Sequence, residues 1–112
     1  MHIQDLSGDD QSTIGQVATL LVDALREHWP DAWPTLESAL DEVHESLAEG
    51  HISRIAVDES GLVSGWIGGQ HSYAEVWELH PLVVRPDRQR QGIGRALVAD
   101  LEAQVRHGVD SP

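Results

Sequence analysis

The stretch WELHPLVVRPDRQRQGIGRALVADLEAQV, residues 77–105, holds the patterns that decide the fold. It begins like a buried strand, yet Pro81 sits inside it. It ends as an amphipathic helix from about Gly92 to His107, with Ile93, Leu97, Leu101 and Val105 on one face. Proline cannot donate to a sheet ladder, so Pro81 signals a bulge, a break in pairing, or an edge strand that tolerates it. A break would leave backbone groups of Leu82, Val83 and Val84 in need of a partner. An extended ligand bearing amides can supply one.

Between strand and helix lies Gln89-Arg90-Gln91-Gly92-Ile93-Gly94, a polar turn that opens directly into the helix. Glycines let a ligand approach the backbone closely. The first N–H groups of a helix point outward, and the helix dipole makes that end positive. Arg90 and Arg95 flank the turn, which together with it suits a phosphate or pyrophosphate. The plainer reading is a glycine-rich helix start with solvated arginines. The P-loop pattern is absent, because no Gly-Lys-Ser/Thr follows. The dinucleotide pattern fails at its third glycine, where Leu97 stands, and no βαβ unit precedes it.

The remaining chain narrows the class. Its 112 residues suffice for one small domain, and 40% apolar content allows a core. No run of eighteen apolar residues or signal pattern is evident, so a soluble cytoplasmic protein is expected, with no membrane partner. The absence of cysteine excludes disulfides, thiolate zinc sites and cysteine nucleophiles. A net charge of -12 repels nucleic acid and anionic lipid, and it attracts cations. It serves either solubility or a polycationic substrate. Arg85, Arg88, Arg90 and Arg95 are four of only seven basic residues, which points to one anion-holding patch on an acidic protein. His44-Glu45 begins a metal-binding His-Glu-x-x-His, but Ala48 takes the last place, and no metal is expected.

Residues 1–6 read as a short strand, and Asp9, Asp10 or Ser12 can cap a helix beginning near Ser12 or Thr13. Ile14, Val17, Ala18, Leu21 and Leu25 form its stripe, and Pro30 stops it by Trp29. A second helix is predicted over 35–49, with Leu36, Leu40, Val43 and Leu47 inward and Gly50 at its C′ position. Its polar face carries Glu37, Asp41, Glu42, Glu45 and Glu49. Residues 51–58 and 62–69 read as a hairpin, residues 70–74 as a looser turn, and residues 75–84 as the next strand. The order is β-α-α-β-β-β-α, an α+β or mixed α/β layer around an antiparallel meander, with helices on both faces.

VVRPDRQRQGIGRALVADLE resembles the acetyl-CoA-binding motif of the GNAT superfamily of N-acetyltransferases, Gln/Arg-x-x-Gly-x-Gly/Ala, here Gln89-x-x-Gly92-x-Gly94. REHWPDAWPTLESALDEVHESLAEG, GWIGG and WELHPLVV resemble the bacterial aminoglycoside 6'-N-acetyltransferases within it. The resemblance implies that acetyl-CoA is the co-substrate and that a polycationic aminoglycoside is the acceptor, hence antibiotic resistance. It implies backbone contacts from Leu82, Val83 and Val84 to the pantetheine arm. It implies a pyrophosphate cradle from Gln89, Arg90, Gln91, Gly92, Ile93, Gly94 and Arg95. Pro81 falls where the family's strand bulges, which frees the Leu82 N–H as an oxyanion donor.

Acetyl transfer needs a neutral amine and a base to take its proton. Glu78 and His80, two apart on the strand, are the candidates. The family's habit of placing a carboxylate here favours Glu78, while His80 lies nearer the thioester and has the better-suited ordinary pKa. Each also reads as an ordinary strand residue, Glu78 solvated and His80 hydrogen-bonded in packing. Trp29, Asp31 and Trp33 occupy the linker that borders the acceptor site in the resembling family, where aromatic faces and carboxylates suit aminosugars. At least one of the two tryptophans is equally suited to the core. Trp66 and Trp77 are expected in or near the core.

The resembling family continues past the acetyl-CoA helix with further strands and a helix, so residues 1–112 are expected to be the N-terminal portion of one such domain. The open strand edge and helix stripe then favour a homodimer. Two other readings stay open: a GNAT enzyme for a different amine, and a non-catalytic module that binds CoA or dimerises.

Overall fold

The computed structural model describes residues 1–28, 35–48, 50–73, 76–88 and 91–110, without the side chains of 25–28, 71–73, 76–81 and 107–110. Element order is β1 (His2–Asp5), α1 (Gln11–His28), α2 (Leu36–Glu45), β2 (His51–Val57), β3 (Val63–Tyr73), β4 (Val76–Val84) and α3 (Ile93–Asp110). The four strands form one sheet in the order β1-β2-β3-β4, and every neighbouring pair is antiparallel. This is the expected β-α-α-β-β-β-α layer. Among the described residues, no helix is long and apolar enough to cross a membrane.

Helices cover both faces. Ile14, Val17, Ala18 and Leu21 of α1 recur at helical spacing and are fully or almost fully buried. With Ala39 and Val43 of α2 they pack on Leu6, Ile55, Val63, Trp66 and Val83. On the other face Ile93, Leu97 and Leu101 of α3 pack on Ala56 and Ile67. Adjacent residues Trp66 and Ile67 thus serve opposite cores, as a central strand buried on both sides requires.

Local chemistry sets the element ends. Asp10 caps α1: its carboxylate accepts from the Thr13 N–H at 3.0 Å and the Thr13 hydroxyl at 2.6 Å. Those bonds, the hydroxyl's first, hold its pKa below the usual aspartate value. Thr35 caps α2 by accepting from the Ser38 N–H at 3.1 Å. The β2–β3 hairpin closes on Asp58, whose N–H donates to the Leu62 carbonyl at 2.9 Å.

Three boundaries differ from the sequence reading. Helix α2 ends at Glu45 rather than Glu49, because the next bonds run three residues back, from Leu47 to His44 and from Ala48 to Glu45. Gly50, with φ 84, therefore lies beyond the cap residue Ser46 and turns the chain into β2 instead of capping the helix. Leu36 begins the helix 49% exposed, so the buried stripe is Ala39 and Val43. The looser turn expected over 70–74 is largely strand, since β3 runs through Tyr73. One extra β3 residue between His71 and Tyr73 lets it keep pairing with Trp77 and Val76.

Two polar ties hold the layers. Arg54 on β2 donates to Asp100 of α3 from Nε at 2.7 Å and from a terminal nitrogen at 3.1 Å. Its other terminal nitrogen reaches Asp5 of β1 at 2.8 Å. These partners, Asp100 foremost, push the guanidinium pKa up against the opposing effect of burial. On the other face the buried Trp66 Nε1 donates to Ser53 Oγ at 2.7 Å, and the Ser46 hydroxyl meets Ser53 at 3.2 Å. That chain pins the end of α2 to the sheet.

Candidate functional site

The site is built around β4, the outer strand of the described sheet. Ile67 of β3 faces Leu82, but Gly69 faces Leu79, so two residues, His80 and Pro81, oppose Gly68 alone. This is a β-bulge, one of the readings that Pro81 left open, and it lies on the outer strand of the described sheet. Beyond it the ladder resumes, with Trp66 facing Val83 and Gly65 facing Val84. The Arg85 N–H donates to the Ser64 carbonyl at 2.8 Å. By antiparallel alternation Val83 then turns its backbone inward and Leu82 carries its N–H on the outer edge. The Leu82 side chain is 44% exposed, whereas that of its partner Ile67 is fully buried.

After β4 the chain makes a single 3₁₀ turn, Pro86–Arg88, and enters α3 at Ile93. Gly92 has φ 80, a left-handed conformation that favours glycine, and its carbonyl accepts the first helical bond, from Ala96, at 3.0 Å. A Cβ at Gly92 would meet nothing within 4 Å, so it is the backbone conformation and not crowding that calls for glycine there. Gly94 works differently: a Cβ there would lie 3.7 Å from Val84 and 3.9 Å from Leu82, in ordinary contact. The first turn of α3 thus lies directly on the end of β4. Buried Ile93 anchors it, and Gln91 and Arg95 are exposed.

Two of the arginines in this region are engaged in ion pairs. Arg85 pairs with Asp87 at 3.0 Å and Arg88 with Asp58 at 3.6 Å. Of the described arginines in this region, Arg95 alone lacks an ion-pair partner among the described residues. Gln89 and Arg90 lie outside the described residues. With Arg85 and Arg88 so paired, the features among the described residues that suit an anion are the dipole and first-turn N–H groups of α3 and the Arg95 side chain.

On the acceptor side, Trp29, Asp31 and Trp33 lie outside the described residues, and of Glu78 and His80 only the backbone is described. Register sets Glu78 opposite Gln70, which in turn faces His51. A small crevice beside these positions is lined by Glu42 and Glu45 of α2 with Ser46, His51, Gly68 and Gln70. The two glutamates were visible in the sequence as part of a polar helix face. What brings them to the bulge is the packing of α2, which the sequence pattern does not encode. Among the described residues, no group of three or more His, Asp or Glu is placed to share a metal ion.

Comparison with known proteins gives this geometry a context. The model of the acetyltransferase (GNAT) family matches residues 16–109. A solved aminoglycoside 6'-N-acetyltransferase, complexed with coenzyme A, is 34% identical with a TM-score of 0.79, covering 95% of this chain and 56% of that one. The aminoglycoside 6'-acetyltransferase type Ii is 33% identical with a TM-score of 0.78, covering 95% and 64% respectively. The enzyme from Enterococcus faecium is 34% identical with a TM-score of 0.74, covering 95% and 55%. The chain thus spans between 55% and 64% of the length of these solved proteins. Comparison with curated proteins returned no match. With a family match running through α1, the bulged strand and the glycine-bearing mouth of α3, this chain belongs to the acetyltransferase (GNAT) family.

Proposed function

We propose that the protein takes part in acetyl transfer from acetyl-CoA to the 6'-amine of an aminoglycoside, and so in resistance to that antibiotic. The observation that carries the reading is a bulged outer strand followed by the Gly92 turn and the start of α3, whose Gly94 packs on the end of that strand. Residues 82–84 run beside the pantetheine arm, and Gln89, Arg90, Gln91, Gly92, Ile93, Gly94 and Arg95 surround the pyrophosphate. The 33–34% identity to aminoglycoside acetyltransferases supports the acceptor class.

In this mechanism the neutral 6'-amine attacks the thioester carbonyl carbon. The Leu82 N–H donates to the oxyanion that forms, at the point where charge develops. The tetrahedral intermediate collapses with cleavage of the C–S bond. The nitrogen gives up its proton to Glu78 or His80, and the thiolate takes one as it leaves. Trp29, Asp31, Trp33 and the Glu42–Glu45 side of α2 hold the cationic rings. The protein is further proposed to form a homodimer through the outer edge of β4 ahead of the bulge, residues 76–79, which leaves residues 82–84 to acetyl-CoA.

The test is thiol release from acetyl-CoA with a kanamycin-type aminoglycoside, a polyamine and a protein-terminal peptide as acceptors. NMR then locates the acetyl group. Release with the aminoglycoside alone, with modification at the 6'-nitrogen, is the expected result. Turnover of the polyamine or peptide instead reassigns the acceptor. CoA binding without thiol release shows that the chain alone is a binding module.

A further inference from the structure

The described residues ahead of α3, 85–88 and 91–92, bear on the direction of the N–H groups at its mouth. A Cβ at Gly92 would meet nothing within 4 Å, so packing on that residue adds little restraint. Buried Ile93 anchors the helix start, and two polar ties hold the segment before it. One tie is the Arg85 N–H bond to Ser64. The other is the ion pair between Arg88 and Asp58, at 3.6 Å, which reaches across to the β2–β3 hairpin.

Asp58 is itself locked in place. Its Oδ1 accepts from the Ser60 N–H at 2.9 Å, the Ser60 hydroxyl at 2.7 Å and the Leu62 N–H at 3.0 Å. That leaves Oδ2 for Arg88. These bonds, the Ser60 hydroxyl's first, hold its carboxyl below the usual aspartate pKa, so it is charged at neutral pH. Its side chain is only 16% exposed, against 41% for Arg88. The pair borders a cavity of about 510 Å³ that also touches Ser60, Gln91 and Ile93, the residues leading into α3.

We propose that Asp58 is a positioning residue for the anion site: acting through Arg88, it fixes the segment that leads into α3 and holds that guanidinium on the hairpin. The inference rests on the cofactor site proposed above. Two effects of losing Asp58 oppose each other. Freeing Arg88 adds a mobile positive charge, which tightens anion binding at low salt and is screened at high salt. Loosening the turn weakens binding at every salt concentration, because the ligand must then order it. The pair is partly exposed and the freed guanidinium is solvated and mobile, so loosening is the larger effect.

The experiment is calorimetry with coenzyme A on the unaltered protein and on Asp58→Asn, Arg88→Gln and the double variant, at low and high salt. Asparagine retains a side-chain oxygen for the hairpin bonds, and thermal melting confirms folding. Each single variant is expected to weaken binding about twofold to fivefold, the coupling of a partly exposed ion pair, and the double variant no further. Where turnover is measured, the effect falls on KM for acetyl-CoA rather than on kcat. Unchanged or tightened binding, or additive losses, overturns the proposal. Amide exchange at residues 91–95 in the free protein gives a readout independent of the ligand. It is expected to quicken in Asp58→Asn, and unchanged exchange also overturns the proposal. No coenzyme A binding by the unaltered protein sinks the cofactor site instead.

Discussion

Gly65 offers the sharpest test of how α3 is seated. A Cβ built there lies 2.9 Å from Leu97 Cδ1, 3.0 Å from Ile93 Cγ2 and 3.3 Å from the Val83 carbonyl oxygen. Carbon pairs in good contact sit at about 3.5–4.0 Å, so the first two are short by at least about half an ångström. Leu97 and Ile93 are both buried, and the Val83 oxygen belongs to the backbone. The side chains of Leu97 and Ile93 must shift aside or α3 must lift, and the Val83 carbonyl oxygen cannot swing away as a side chain can. Overpacking of this kind costs about 1–3 kcal/mol. Replacing glycine returns about 0.5–1 kcal/mol of backbone entropy. Gly65→Ala should therefore destabilise the fold by about 1 kcal/mol, and by no more than about 2.5 kcal/mol, so that Tm falls by roughly 4–8 °C at the central value.

Gly15 supplies the control. It lies within α1, and a Cβ there meets nothing within 4 Å. Gly15→Ala should stabilise by about 0.5–1 kcal/mol through helix propensity. Urea unfolding of both variants beside the unaltered protein measures the difference. Because Ile93 opens α3, the shift in Gly65→Ala should also weaken coenzyme A binding. A Gly65→Ala protein as stable as the original, with Gly15→Ala behaving as expected, would refute the close seating of α3.

Asp100→Asn removes the carboxylate charge from the bidentate Arg54 pair, and should cost about 1–2 kcal/mol in urea unfolding, since Asp5 remains as a partner. Ser53→Ala strands the buried Trp66 N–H, and should cost about 1–3 kcal/mol with a change in tryptophan fluorescence. Asp58 has a lowered pKa in the folded state, so its contribution to stability is present above the unfolded aspartate pKa of about 4 and is lost as pH falls through the lower folded value. The Tm gap between the unaltered protein and Asp58→Asn should accordingly be full at pH 7 and close under acid. Glu78→Gln, if Glu78 is the base, should lower kcat by about 10²-fold or more and leave acetyl-CoA binding nearly intact. An unchanged kcat transfers the role to His80.

What could be read from the sequence was what local pattern encodes. The stripe of Ile14, Val17, Ala18 and Leu21 gave its helix and its buried face. Pro81 pointed to a bulge, a break or an edge strand, because a residue without an N–H cannot continue a ladder, and the structure has a bulge on the outer strand. Pairings between distant elements were not legible. Arg88 finds Asp58 across the fold, and Arg54 finds Asp100 from strand to helix, contacts that no local pattern announces. The early end of α2 was hidden for a related reason. Helical spacing continues to Leu47, but Ser46 is drawn to Ser53 of β2, and that contact is tertiary.

The additional residue in β4 divides the strand into two stretches whose phases are fixed by different neighbours. Residues 76–79 take theirs from the far end of β3, and residues 82–84 take theirs from Gly65, Trp66 and Ile67 with α3 lying alongside. A shift or a bulkier side chain in the first stretch is absorbed at the discontinuity and does not travel onward. Under the proposed reaction, acceptor preference can diversify through the leading half while the thioester-facing half keeps its alignment.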